Sequence, residues 1–344
     1  MEKSVTTKMR TEALESPNVI NQQIETNTKI IENIAEKLIF QNPYSTVSIA
    51  RGSSDHASQY LNYLIMDKLG LLTTSLSLSI LTLYQTKLNV KQSVSISISQ
   101  SGQSPDVIIP TQFFKENALS AISLVNDIQS PLTNASSDYV GLLAGKENSV
   151  AATKSFIASL STAAQLVSAW SKDKKLSTSM LSLSDDLFKA QQMNWCKVNE
   201  KLIHAKRIMV VGRGYGLSLA LEAALKFKET CSIQAEAFSA AEIKHGPQAL
   251  IENGYPLIIF ANRGPALHSM LDLALDMKDR GANVILAAPE FVKEKDICIY
   301  STQSEELDIL SAAQSFYLMI EKLSLELGLN PDEPKHLSKV TKTK

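Results

Sequence analysis

Two stretches of this sequence hold residue types that could do chemistry, and each suits a different kind. The first is Leu221-Glu222-Ala223-Ala224-Leu225-Lys226-Phe227-Lys228-Glu229, followed by Gln234-Ala235-Glu236-Ala237 and Lys244-His245-Gly246-Pro247. Glu222 and Lys226 stand one helical turn apart and can pair, and Glu229 lies nearly two turns past Glu222 on the same side. Carboxylates, an ammonium and an imidazole among small residues suit general acid–base work in a closely packed polar site. The pair alone also fits a solvated helix with routine ion pairs, and a lone His245 fits a structural role. Only the cluster argues for chemistry. The second stretch is Ser99-Gln100-Ser101-Gly102-Gln103-Ser104, into which the β-branched run Val94 to Ile98 breaks. A strand entering a tight loop and then a helix offers free backbone N–H groups and a positive dipole end, which together favour an anion. Pro105 suits the first turn of that helix. The hydroxyls of Ser99, Ser101 and Ser104 and the Gln100 amide add donors, and no Lys or Arg lies in the loop. The expected guest is a phosphate held by hydroxyls and amides, not by point charges; a plain serine-rich turn is the alternative.

Patterning sets the elements that must position these residues. Residues 1–45 read as a polar helical arm: Met9 to Ser16 is a short helix stopped by Pro17, and Asn18 to Phe40 carries apolar residues near helical spacing (Ile24, Ile30, Ile31, Ile34, Leu38). Strands at 46–50, 94–98 and 121–125 alternate with helical segments, which indicates βαβ units and a parallel sheet. Ligands of such sheets bind beyond the carboxyl ends of the strands. Gly52-Ser53-Ser54 and Ser99 to Ser104 both fall there. The second half repeats the first. Arg207 to Val211 leads into Gly212-Arg213-Gly214 as Val47 to Ala50 leads into Arg51-Gly52. Pro256 to Ala261 leads into Asn262-Arg263-Gly264, and Ala282 to Ala287 matches Ala121 to Val125, all at an offset of about 160 residues. The fold class is therefore α/β, two tandem doubly wound parallel-sheet domains. A first domain is expected at 46–185 and a second at 190–327, with the Ser-, Lys- and Asp-rich stretch 171–188 at the boundary. Only the first copy keeps the hydroxyl cradle, so one phosphate site per chain is expected. After a helix from Ala312 to Leu327, a tail at 328–344 is punctuated by Pro331 and Pro334. It is either disordered or lies over a site, anchored by Leu337 and Val340, and delivers Lys339.

The chain as a whole limits the function classes. Its 344 residues, 44% hydrophobic and 20% charged, fit a soluble globular protein of two ordinary domains or one large one. A net charge of −1 without a long basic block argues against nucleic acid as the main partner. Cys196, Cys231 and Cys298 form no CxxC pair and suit a reducing compartment. No His/Cys/Asp/Glu spacing suggests a metal, and no cofactor is expected. Met1 to Thr7 lacks the apolar core of a signal peptide, and no apolar run approaches the ~20 residues of a membrane span. The expected location is cytoplasmic.

At this point the motifs resemble a known family. Ser99-Gln100-Ser101-Gly102, Val150-Ala151-Ala152-Thr153-Lys154, Gly212-Arg213-Gly214, the Leu221 to Glu229 helix, Ala235-Glu236-Ala237, Lys244-His245-Gly246-Pro247 and the closing Leu337-Ser338-Lys339 are similar to the double SIS (sugar isomerase) proteins. The Glu12 to Pro17 arm matches as well. The resemblance covers essentially the whole chain and extends to the isomerase half of glucosamine-6-phosphate synthase. Arg51-Gly52-Ser53-Ser54-Asp55-His56-Ala57, Ser104-Pro105-Asp106, Leu124-Val125-Asn126-Asp127 and Gly328 to Asp332 look most like the SIS-type glucosamine-6-phosphate deaminases. The resemblance implies flavodoxin-like domains and a C-terminal tail over the site. It implies that Gly52, Ser53, Ser54, Ser99, Gln100, Ser101 and Ser104 hold the sugar phosphate, with Val150, Ala152 and Ser338 among the substrate-binding positions. It places the C1/C2 proton shuttle on Glu229 and ring opening on His245, donated by a neighbouring subunit of a homodimer. It brings Lys339 to the sugar carbonyl and puts Glu222 and Lys226 on active-site positions. One departure matters: the family's usual Val-Ala-Ser-Thr-Lys has Ala152 here, which loses a sugar-facing hydroxyl.

The reaction these readings imply is glucosamine 6-phosphate plus water giving fructose 6-phosphate plus ammonia. The chain begins Met-Glu-Lys and carries no glutaminase domain with an N-terminal cysteine, so glutamine-dependent synthesis is not expected. Lys339 either positions and polarises the sugar or forms a Schiff base. Two other readings stand beside this one. One is the same chemistry on galactosamine 6-phosphate or a fructosamine-type conjugate. The other is a non-catalytic phosphosugar-binding regulator, which would have no need of Glu229, His245 and Lys339 together and which, in a transcriptional role, would lack a helix-turn-helix extension.

Overall fold

The chain opens on one long helix. In the computed structural model, which describes residues 6–339, α1 (Lys8–Gln41) continues through Pro17. The sequence reading ends a helix there, because proline has no N–H for the carbonyl one turn back. That carbonyl, Ala13 O, accepts a bond from Gln314 Nε2 at 2.9 Å instead. Gln191 Nε2 donates to Leu14 O at 3.0 Å, and Ser184 Oγ to Pro17 O at 2.8 Å. Side chains distant in sequence satisfy the carbonyl that proline leaves open.

By contacts the chain forms two units: residues 18–146 with 154–181, and residues up to 17 with 147–153 and 182–339. The first is built from β1 (Ser45–Ile49), α2 (Gly52–Leu69), β2 (Leu72–Ser75), α3 (Ser79–Thr82), β3 (Ser93–Ser99), α4 (Pro105–Asn117), β4 (Ser120–Val125), α5 (Pro131–Asn134), β5 (Asp138–Gly141), α6 (Lys154–Ser171) and α7 (Lys174–Met180). Its strands are all parallel, in the order β2-β1-β3-β4-β5. Val47, Ile49, Val107, Phe114, Val125 and Leu132 form a core on one face. The serines that alternate with isoleucine in β3 are buried too. Ser97 Oγ meets Thr111 Oγ1 of α4 at 2.6 Å, so the strand is covered on both faces, as a central parallel strand must be.

The second unit continues with α8 (Leu183–Ala190), β6 (Arg207–Gly212), α9 (Gly216–Cys231), β7 (Gln234–Ser239), α10 (Ala240–Ile243), β8 (Pro256–Phe260), α11 (Leu267–Asp279), β9 (Asn283–Pro289), β10 (Ile297–Ile299) and α12 (Asp308–Glu326). Its order is β10-β9-β8-β6-β7, again parallel. Read from the other edge this is the order of the first sheet, so the duplication seen in sequence is a duplication of topology. In each sheet the winding direction reverses between the first and third strands, β1 and β3 or β6 and β8, which is where doubly wound sheets take ligands. The sequence reading missed β2, β7 and β10, all of them edge strands. β2 is largely exposed and β10 spans only three residues, while β7 alternates Ala with Glu, residues of low strand preference. The polar stretch 171–188 is mostly helical, occupied by α7 and α8, and the units change between Leu181 and Ser182.

Candidate active site

The serine loop lies at the carboxyl end of β3, with α4 beginning at Pro105. Gly102 is what closes the turn. Its φ is +60°, and a Cβ there would lie 2.0 Å from Ser130 Oγ, so neither the conformation nor the space admits a side chain. Gly102 N donates to Ser99 Oγ at 2.9 Å, and Gln103 N to Ser101 Oγ at 3.3 Å. These two hydroxyls accept from the loop's own backbone, which leaves their O–H protons to donate elsewhere. Ser104 precedes α4 in an extended conformation without capping it through its side chain. Ser53 and Ser54 are half-buried in the first turn of α2, which Gly52 opens at φ +56°. The loop holds no cation of its own, yet a guanidinium reaches the helix it feeds: Arg51 Nη2 donates to Asp106 Oδ2 at 3.1 Å.

The acid–base residues of the other unit lie on α9, a helix of strong helix formers whose apolar face packs on β6 and β7. Lys226 is buried between two carboxylates, 3.1 Å from Glu222 Oε1 and 2.6 Å from Glu229 Oε2. Glu222 is fully buried, whereas the Glu229 side chain is 20% exposed. From α12, Tyr317 donates its hydroxyl to Glu222 Oε1 at 2.9 Å. Burial works against the Lys226 ammonium, but Glu222 and Glu229 outweigh it and raise its pKa above the ordinary value. Burial, and then Glu222, push the Tyr317 phenol well above the usual range, so it stays a neutral donor. The result is a buried chain of hydrogen bonds and ion pairs, Tyr317–Glu222–Lys226–Glu229, whose last carboxylate reaches solvent.

The tail joins the same unit. Lys339 Nζ donates to Glu147 Oε2 at 3.1 Å and to Ser149 O at 2.7 Å. Glu147 is buried and also accepts Thr153 N at 2.9 Å. Its charge bears on Tyr317 alongside those of Glu222 and Glu229. Leu337 is 47% exposed and does not anchor the tail; Asp332 and Lys339 tie it down by polar bonds, and Val340 lies outside the described residues.

A family model described as "SIS domain" matches residues 39–169 and 201–323. The chain belongs to the SIS family. It is 31% identical to the isomerizing glutamine–fructose-6-phosphate aminotransferase of Sulfurisphaera tokodaii, over 94% of this chain and 54% of that protein. It is 30% identical to the enzyme of the same name from Pyrococcus horikoshii, over 96% and 57%. The chain thus spans about half the length of these curated relatives. A solved structure of a proposed phosphosugar isomerase from Silicibacter pomeroyi matches with a TM-score of 0.90 at 32% identity, covering 95% of this chain and 100% of that one. The glucosamine-6-phosphate deaminase of Thermotoga maritima shares the fold at a TM-score of 0.78 and 19% identity, over 98% and 100%.

Within this SIS chain the sequence-derived residues fall into groups. Glu222, Lys226 and Glu229 are in direct contact. Ser99, Gln100, Ser101 and Ser104 share one loop, and Gly52, Ser53 and Ser54 another on the adjacent strand. Val150 and Ala152 lie partly exposed in the 147–153 loop that Lys339 caps. Ser338 is exposed in the tail. His245 is exposed just after α10, with its backbone N bonded to Glu242 O, and no side-chain link to the α9 cluster is seen among the described residues. Sequence reasoning missed Glu147, Tyr317 and Asp332. Glu147 was readable only as a charge in a small-residue loop, and Tyr317 only as a lone hydroxyl in an apolar helix. Among the described residues no group of three or more His, Cys, Asp and Glu is placed to hold a metal ion, and no helix is long and apolar enough to cross a membrane.

Proposed function

We propose that the chain is an amino sugar phosphate deaminase/isomerase that converts glucosamine 6-phosphate and water to fructose 6-phosphate and ammonia. The observation that carries this reading is the Tyr317–Glu222–Lys226–Glu229 chain, which ends in a carboxylate accessible to a substrate. The names and folds of the relatives support the substrate class. In this reading the serine hydroxyls take the phosphate, and His245, given by the partner of a homodimer, opens the sugar ring. Glu229 then removes the C2 proton and returns it to C1. Lys226 holds the carboxylate in place before the first transfer and after the second. The resulting C2 imine takes up water and releases ammonia, which balances the reaction. Lys339, which donates to Glu147 Oε2 and Ser149 O, either polarises the sugar oxygen or forms a Schiff base with the sugar carbonyl. Ala152 keeps a second substrate in view: without a hydroxyl there, another hexosamine phosphate such as galactosamine 6-phosphate is the alternative.

The test mixes the full chain with each hexosamine phosphate and follows ammonia and ketose phosphate together. Glu229→Gln loses about 10²- to 10⁴-fold in turnover, the usual contribution of a general base, while still binding fructose 6-phosphate. A wild-type protein that binds hexosamine phosphates yet releases no ammonia from any of them refutes the deaminase reading and leaves a phosphosugar sensor.

A further inference from the structure

We propose that Arg51 is a phosphate-binding residue, its guanidinium closing the serine cradle at the reversal point between β1 and β3. This rests on the reading of the serine loops as a phosphate site and adds the cation which that reading lacked.

The placement follows from register. Ile49 of β1 pairs with Ser97 of β3, so continuing the parallel ladder brings Arg51 level with Ser99. Arg51 is the last residue before α2, and its Nη2 reaches Asp106 Oδ2, 3.1 Å away in the first turn of α4. A guanidinium therefore spans from the end of one cradle loop to the helix that follows the other.

The alternative is that Arg51 merely neutralises buried Asp106. A second arginine in the protein shows what that looks like. Arg263 donates Nε and Nη2 to Asp308 at 2.6 and 2.7 Å, adds Thr302 O at 2.7 Å, and is 26% exposed. Arg51 holds its carboxylate through one nitrogen and is 54% exposed. A guanidinium has five N–H donors in a planar fork, so the Asp106 bond leaves donors for a second acceptor, and the fork matches a phosphate edge. Asp106 already sits at a helix N-terminus, where the dipole favours an anion. A phosphate bound beside that buried carboxylate meets a like charge, which the Arg51 guanidinium offsets. The same reach recurs in the second half, where Arg213 Nη1 donates to Ser269 Oγ in the first turn of α11 at 3.1 Å. There the serine cradle is replaced by Asn262-Arg263-Gly264-Pro265, so Arg213 serves as an internal control.

The experiment measures calorimetric binding of inorganic phosphate and of fructose 6-phosphate to the full chain and its variants. Arg51→Gln weakens both by about 10- to 100-fold, the range of one charge-assisted contact. Arg51→Lys recovers part of the loss, since it restores the charge without the fork. Asp106→Asn breaks the internal pair but keeps the guanidinium, and binds within about threefold of wild type; Arg213→Gln is unchanged. Equal losses in Arg51→Gln and Asp106→Asn, or Arg51→Gln binding within about twofold of wild type, overturn the proposal. A wild-type chain that binds neither ligand refutes the phosphate cradle itself, which is a separate outcome.

Discussion

Replacing Tyr317 by phenylalanine removes a single oxygen from the α9–α12 contact and tests the acid–base chain at its far end. Tyr317 and Glu222 are both fully buried, and the hydroxyl donates at 2.9 Å. A hydrogen bond to a charged, buried acceptor contributes roughly 1.5–3 kcal/mol. The ring stays, so the loss of packing is small, and stability to urea should fall by about 2 kcal/mol. The functional consequence comes from the ion pairs beyond it. Lys226 lies 3.1 Å from Glu222 and 2.6 Å from Glu229. With one donor fewer, Glu222 draws more of the Lys226 ammonium, and Glu229 retains less. Glu229 is then held less firmly, and kcat falls while KM for the sugar phosphate stays near that of the wild type. Glu147 on the 147–153 loop also faces Tyr317 and has the same sign as Glu222, so it does not compensate. The assay pairs urea unfolding with steady-state kinetics of ammonia release. A stability change below about 0.5 kcal/mol with an unchanged kcat refutes the reasoning. A stability loss with an unchanged kcat reduces Tyr317 to scaffold.

Three further outcomes test other parts of the structure. Gln314→Leu strands Ala13 O beside Pro17 and costs about 1–3 kcal/mol; the same substitution made on Pro17→Ala costs less, because an N–H is then available, and urea unfolding of the double-mutant cycle measures the difference. Gly102→Ala forces a Cβ to within 2.0 Å of Ser130 Oγ at φ +60°, so the loop must move; fructose 6-phosphate affinity should fall at least about tenfold, and an unchanged affinity would show that this turn does not shape the site. Asp296 has its pKa lowered from 3.8: burial opposes this, but bonds from Leu286 N and Lys201 Nζ win. Its stabilisation is therefore present above 3.8 and lost as pH falls through the lower folded value. The stability gap between wild type and Asp296→Asn should be open at neutral pH and close in strong acid, as read by urea midpoints.

The sequence made the repeated unit legible because strands β1, β3, β6 and β8 run into Gly- or Ser-bearing turns, β4 and β9 are largely apolar runs, and the sheets twice return the same order. The serine loop was legible for the same reason. The Arg51–Asp106 bond beside it was not, since it joins residues 55 positions apart. The Glu222–Lys226–Glu229 cluster could be read from spacing on one helix. Tyr317 could not, because it enters from a helix 95 residues away, and nothing in an apolar stretch says which side chain meets a buried carboxylate. Pro17 misled for the same physical reason: local chemistry ends a helix there, and the bond that Gln314 supplies is invisible without the fold.

The two ends of the described chain meet on the 147–153 loop, and this sets where Lys339 can be. The first free N–H groups of α1, on Lys8 and Met9, donate to the two carboxylate oxygens of Asp332 at 2.8 Å each, an anion at a helix N-terminus. Asp332 O accepts Val150 N at 3.3 Å. One turn further along α1, buried Glu12 accepts Asn148 N and Ser149 N. Ser149 O in turn accepts the Lys339 ammonium. The loop is thus held by arm and tail together, and each of these bonds to arm or tail closes a separation of more than a hundred residues in sequence. No apolar anchor is required, which is why Leu337 can stay exposed. A helical arm that looked like an appendage is the part that fixes the loop beneath Lys339, and an intact α1 N-terminus becomes a condition for placing that lysine.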